Sequence, residues 1–129
     1  MFAIKVRSPH APPEARMPHD HVAGVVRRYF AAFEAGDREA VEGLFTEDFT
    51  FSSPRDDHIG KATFFERCWP NSRKIESFVI ENIFEQGNEA FVRYRARRAA
   101  DGGEFRNTEF LVIEGDRIKE IDVYFGRDL

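Results

Sequence analysis

Few side chains in this chain combine a type and a setting that could do chemistry. Tyr29, in Arg28-Tyr29-Phe30, and Glu109, in Asn107-Thr108-Glu109-Phe110, are the leading pair. A hydroxyl and a carboxyl brought together in apolar surroundings would polarise a carbonyl or enol by hydrogen bonding. Burial would raise the pKa of that carboxyl and hold its proton. A proton acceptor is available in Asp56, Asp57 or His58, although such residues also make ordinary solvated turns. Nucleophilic chemistry has less support. Ser53 lacks a G-x-S-x-G context, and Cys68 has no basic neighbour required by spacing. His10, His19 and His21 have no cysteine or carboxylate spacing to complete a metal site. Asn107 either bonds a ligand carbonyl or satisfies backbone at the start of its strand.

These groups need elements to position them, and the stretch Phe45–Pro70 organises the rest. Phe49–Ser53 reads as a short strand stopped by Pro54, followed by the polar loop Arg55–His58. Gly60 releases the chain into a helix over Lys61–Trp69, which Pro70 ends. A polar loop between two aromatic elements gives an apolar pocket a polar mouth. Phe51 and Ser53 would face that pocket, and Phe65 and Trp69 would reach its rim. The chain holds 14 Phe against 1 Trp and 3 Tyr, which serves either a packed core or a pocket lining.

Upstream, Val22, Val25, Val26, Tyr29, Phe30 and Phe33 fall on one helical stripe. Asp20 is the expected N-cap and Gly36 the stop. Asp37 then caps a second short helix carrying Val41, Leu44 and Phe45. Downstream the pattern alternates. Lys74–Gln86 reads as a strand with a bulge near Asn82, turned by Gly87-Asn88 into Glu89–Arg98. Two further strands, Glu104–Glu114 and Arg117–Phe125, complete an antiparallel meander. Helices first and a meander after predict an α+β fold. Ile121, Val123 and Phe125 share the apolar face of the last strand, with Asp122 and Tyr124 opposite. The preceding strand is mixed on both faces. Parity alone therefore leaves Glu109 either inward or outward against Arg93 or Arg95. A sheet covered on both faces in a chain with few helices implies a homodimer through the outer face.

Composition bounds the rest. A length of 129 residues, 42% hydrophobic and 33% charged, fits one globular domain. Residues 1–18, with four of the 6 prolines, read as an arm, and 19–129 as the domain. A net charge of −4 without blocks of like charge argues against nucleic acid or an anionic membrane as partner. One cysteine, no long apolar run and no signal-like start point to a cytoplasmic protein.

The runs VRRYFAAFEAGDREAVEGLFTEDFTFSSP, IGKATFFERCWP and GDRIKEIDVYFG resemble the nuclear transport factor 2-like superfamily, and within it the SnoaL-like group that includes polyketide cyclases. The resemblance spans roughly 20–125. It implies a cone-shaped, cystatin-like α+β fold, with N-terminal helices on a curved, mainly antiparallel sheet. It also implies a deep apolar pocket for a small apolar molecule and a dimer. Ketosteroid isomerases of this superfamily set a Tyr on the first helix, an Asp base at the end of the first strand and a protonated Asp on a late strand. Here the Tyr falls on Tyr29 and the late acid on Glu109. The base position falls on Ser53, which cannot take a carbon-bound proton. The resemblance also puts Ile121, Val123 and Phe125 in the pocket. An epoxide hydrolase arrangement would need an Arg and two acids converging in the pocket; Glu109 with Asn107 would fit part of such a set, but no inward Arg is evident to complete it. Two functions remain. One is an isomerase, cyclase or lyase using Tyr29 and Glu109 without metal or organic cofactor. The other is a non-catalytic dimeric binding or association module.

Overall fold

The computed structural model describes the backbone of residues 13–129 and the side chains of 21–129. The first 12 residues of the arm, His10 among them, lie outside it, as do the side chains of His19 and Asp20. Helix α1 (Pro13–Ala35) starts before the expected cap, so Asp20 sits inside it. A proline opening a helix loses nothing, because the first N–H groups have no intrahelical acceptor. The predicted stop holds. Gly36 sits at φ +70°, its N–H bonds Phe33 O, and Asp37 N bonds Ala32 O. This left-handed closure satisfies two of the last carbonyls. Asp37 then accepts from Ala40 N at 3.1 Å to cap α2 (Arg38–Leu44).

Strand β1 covers Phe45–Ser53, longer than the predicted Phe49–Ser53, because Phe45 already pairs with Ile118. The polar stretch after it is a strand rather than a loop. Only Pro54-Arg55 turns, and β2 (Asp56–Gly60) folds back on β1, with Phe51 opposite Ile59 and Ser53 opposite Asp56. Serine hydroxyls support this tight return: Ser53 Oγ accepts from Arg55 N and Ser52 Oγ from His58 N. Helix α3 (Lys61–Arg67) ends two residues early. Pro70 is instead accommodated near the start of a 3-10 turn over Trp69–Lys74.

The remaining strands are β3 (Ile75–Gln86), β4 (Glu89–Arg98), β5 (Glu104–Glu114) and β6 (Arg117–Asp128). The six strands form one open, curved sheet in the order β2-β1-β6-β5-β4-β3. Neighbours run antiparallel except β1 and β6. The bulge foreseen near Asn82 lies between Ile80 and Asn82 and throws Glu81 to the outer face. A second irregularity lies opposite Gly126. A Cβ there would stand 2.0 Å from Arg106 O, so only glycine lets β6 come this close to β5.

The stripe of α1 packs on the inner face of the sheet, burying Val25, Val26 and Phe30 against Val92, Leu111 and Ile121. Under α2 and α3, Phe45 stacks on Phe49 at 3.7 Å, and Phe64 meets both edge-on. Each such ring removes on the order of 150–250 Å² from water. The phenylalanine excess thus divides between this core and the lining of a cavity beside it. On β4 the parity holds: Ala90, Val92, Tyr94 and Ala96 are buried. On β6, Ile121 and Val123 are buried, but Phe125 is half exposed, beside the irregularity at Asn107. The outer-face arginines take partners other than Asp122. Arg93 and Arg95 approach Glu81, and Arg95 also approaches Glu104. Asp122 accepts from the Tyr124 hydroxyl instead.

Candidate functional site

Between the inner face of the sheet, α1, α3 and the 3-10 turn lies a cavity of about 1200 Å³. Tyr29, Phe33, Phe51, Phe78 and Val123 form much of its apolar wall, and Glu109 lies in that wall.

Glu109 is placed there by register. It stands opposite Val92 on β4 and Val123 on β6, both buried. Its side chain therefore faces inward, away from Arg93 and Arg95. Asn107, two residues earlier on the same face, stands opposite Tyr94. Three hydrogen bonds link these groups. Gly126 N donates to Asn107 Oδ1 at 3.0 Å, Asn107 Nδ2 donates to Tyr94 Oη at 3.3 Å, and Tyr94 Oη donates to Glu109 Oε2 at 2.8 Å. Asn107 thus satisfies backbone and orients Tyr94. The other carboxyl oxygen, Glu109 Oε1, is buried without a partner among the described residues. Burial pushes the Glu109 pKa up from 4.5 to about 7, against the opposing pull of the Tyr94 hydrogen bond. A protonated Oε1 would be a hydrogen-bond donor in a wall otherwise largely apolar.

Tyr29 is buried in the same lining, held by rings of Phe30, Phe33 and Phe45. Its hydroxyl makes no hydrogen bond among the described residues, so the partner of Glu109 is Tyr94 rather than Tyr29. Burial first, and the Glu109 charge second, raise the pKa of Tyr29 well above 10, so it is a donor and not a base. Tyr94 is raised for the same two reasons. Sequence reasoning missed Tyr94, although it stood in the inward set of β4. A polar-tipped aromatic among Ala and Val, across from Asn107, was the available signal.

The three proton-acceptor candidates separate cleanly. Asp57 and His58 bond each other at 2.6 Å with side chains 94% and 65% exposed, and neither lines the cavity. Asp56 does line it, with 9% of its side chain exposed. Its Oδ1 lies 2.8 Å from Arg67 Nη2, an ion-pair distance, although that oxygen accepts no well-aligned hydrogen bond. Ser53 Oγ donates to Asp56 Oδ2 at 3.4 Å, so Ser53 buttresses the carboxylate. Cys68 also lines the cavity, but burial pushes its thiol up to about 11, leaving it a poor nucleophile.

Of the expected pocket residues, Phe33, Phe51, Ser53, Asn107, Val123 and Phe125 line the cavity. Ile121, expected there too, is packed in the core instead, and Phe65 and Trp69 do not line it either. Because α3 stops at Arg67 and the chain turns at Cys68, these rings pack as a second layer, with Trp69 edge-on behind Phe33 at 5.3 Å. Arg55, Arg73, Arg98 and Arg127 are also among the lining residues, although none of them pairs with Glu109. Among the described residues, no group of three or more His, Cys, Asp or Glu could hold a metal ion. None of their helices is long and apolar enough to cross a membrane.

Comparison with curated proteins gives no match. Solved structures resemble the fold. An NTF2-like protein of unknown function from Cytophaga hutchinsonii superposes with a TM-score of 0.65 at 23% identity, covering 81% of this chain and 89% of that one. A candidate polyketide cyclase from Xanthomonas campestris gives 0.67 at 18% identity, covering 83% and 91%. A candidate ketosteroid isomerase from Kribbella flavida gives 0.69 at 12% identity, covering 84% and 79%. At these identities the likeness is one of fold. Residues 26–121 match the SnoaL-like domain, and the chain therefore belongs to the SnoaL-like family of NTF2-like proteins.

Proposed function

We propose that this chain binds a small, largely apolar carbonyl compound in its cavity and acts on it as a cofactor-independent isomerase or cyclase. The observation that carries this reading is Glu109, a buried acid with one oxygen on Tyr94 and the other unpartnered among the described residues. In its protonated form, Oε1–H donates to the ligand carbonyl, and Tyr29 Oη–H is a second donor from the same wall. Asp56 takes a proton from the carbon beside that carbonyl, leaving an enol or enolate whose oxygen Glu109 and Tyr29 stabilise. Returning the proton to another carbon completes an isomerisation, whereas attack of the enolate carbon on a second carbonyl of the same molecule closes a ring. One observation favours a second reading, a non-catalytic binding module. Asp56 is held by Arg67 and Ser53, and no other carboxylate is evident as a base at the end of β1.

The test is a thermal-shift screen of steroids, phenolic polyketides, terpenoids and short fatty acids. A ligand at 100 times its Kd adds roughly 2.7 kcal/mol, or several degrees in midpoint for a domain this size. A hit is then incubated in deuterated water with wild type and Asp56→Asn. Deuterium entering the ligand beside its carbonyl in wild type alone supports catalysis. Binding without exchange in either protein leaves the module reading. No hit in any class argues against a ligand pocket.

The outer face supports a homodimer. Val79, Phe84, Phe91 and Tyr124 are each about half exposed there, interleaved with Glu81, Arg93 and Arg95. A second copy offers the same apolar strips with both signs of charge, which is the self-complementarity of a two-fold interface. Sedimentation should give twice the chain mass for wild type and a monomer for Phe91→Glu. A monomeric wild type at micromolar concentration would end this reading.

A further inference from the structure

The cavity mouth is charged in the opposite sense to the chain. The protein carries 23 acidic and 19 basic side chains, yet five cationic residues line the cavity against three carboxylates. Two of those carboxylates are engaged, Asp128 with Arg98 at 3.3 Å and Asp56 with Arg67. The third, Glu109, lies in the apolar wall with its proton favoured by burial. Arg55, Arg73, Lys74 and Arg127 are left with no ion pair among the described residues. The first three belong to one arc. The Arg55 guanidinium lies over Phe125 at 5.8 Å, Asp128 three residues later bonds Arg98, and Ala99 N bonds Lys74 O beside Arg73. Arg127, opposite Arg106 after the irregularity at Gly126, is turned toward the outer face. Cations around an apolar recess focus a positive field at its entrance, where it acts on whatever enters.

We infer that the ligand is amphipathic and anionic, with an apolar, carbonyl-bearing body in the cavity and a carboxylate or phosphate head held at the mouth by Arg55, Arg73 and Lys74. This rests on the proposed reading of the cavity as a ligand site. The two ends would fix the ligand in one direction, the head at the rim and the carbonyl oxygen at Glu109. A neutral Glu109 suits such a ligand, because an ionised one would repel it.

The test uses two fluorescent probes that share an aromatic body. 8-Anilinonaphthalene-1-sulfonate is anionic, and N-phenyl-1-naphthylamine is the same body without the sulfonate. The anionic probe should bind at least about tenfold more tightly, each tenfold being one strong charged contact. The preference should shrink to about threefold or less in Arg55→Gln/Arg73→Gln/Lys74→Gln, and should fall with added salt. These substitutions are on exposed side chains and leave the core intact. Displacement by decanoate, decyl phosphate and decanol then identifies the head: the stronger of the two anions names carboxylate or phosphate. Equal binding of both probes, a preference that survives the triple substitution, or decanol displacing as well as the anions overturns the inference while leaving the pocket standing. Failure of both probes to bind counts against the pocket itself.

Discussion

The two faces of the sheet treat a carboxylate in opposite ways. On the outer face, Glu81 sits at a bulge within reach of three arginines. Arg106 binds it through Nε at 2.7 Å and Nη2 at 2.9 Å, and Arg93 and Arg95 stand at 3.6 and 3.8 Å. The Arg106 hydrogen bonds, then the charges of all three, hold its pKa below the usual value. On the inner face, Glu109 meets, among the described residues, no cation, one tyrosine hydroxyl and an apolar wall, and its pKa rises to about 7. The outer arrangement secures a charge, whereas the inner one withholds compensation and keeps a proton available near neutral pH. Structural economy would put an arginine beside Glu109 or an apolar residue in its place. A half-satisfied acid facing a cavity is costly unless something else completes it.

The contrast fixes two opposite pH dependences. Folded Glu109 holds its proton more tightly than the unfolded chain does, so raising the pH from 4.5 to about 7 favours unfolding. At about 1.4 kcal/mol per pH unit, wild type should lose about 3 kcal/mol across that interval. Urea unfolding at several pH values should show this slope, and Glu109→Gln should flatten it. Equal slopes in both proteins would mean that Glu109 is solvated. Glu81 acts below that interval with the other sign. Its pKa is lowered, so its contribution is present above 4.5 and is lost as the pH falls through its folded value. Glu81→Gln should remove part of the acid-side loss, by less than Glu109 contributes, and high salt should mask the difference because the pairs are partly exposed. An acid limb identical in both proteins would count against the arginine cluster.

How much of this was legible in the sequence varies with the kind of interaction. Local chemistry read well: Gly36 and Asp37 behave as stop and cap because their roles depend on a few adjacent residues. The inward set of β4 followed from alternation alone. Position 109 stayed ambiguous because β5 is mixed on both faces, and only pairing with Val92 and Val123 decides it. Tyr94 was overlooked because its role comes from a diagonal contact across strands, which no single-strand pattern displays. The β2 hairpin was missed because Asp, Asp and His are poor strand formers. Serine hydroxyls and an edge position make the strand tolerable, and neither is visible in a propensity. The arginines of the mouth escaped because three separate segments bring them together.

The smallest expected stability effect belongs to Tyr29, and it separates the ring from the hydroxyl. The ring is fixed by Phe30, Phe33 and Phe45 at 5.4–5.9 Å, contacts that phenylalanine would keep. The hydroxyl bonds nothing among the described residues. Tyr29→Phe should therefore change stability by no more than about 0.5 kcal/mol, the range of a substitution that breaks no feature of the fold. Binding is where the oxygen should count. A net hydrogen bond of about 1 kcal/mol corresponds to about fivefold weaker binding of a carbonyl ligand. A large stability loss would mean that the hydroxyl belongs to the core, and unchanged affinity would mean that Glu109 addresses the ligand alone. Stability held with affinity reduced is the result that places Tyr29 beside Glu109 in the site, with the ring as scaffold and the oxygen as donor.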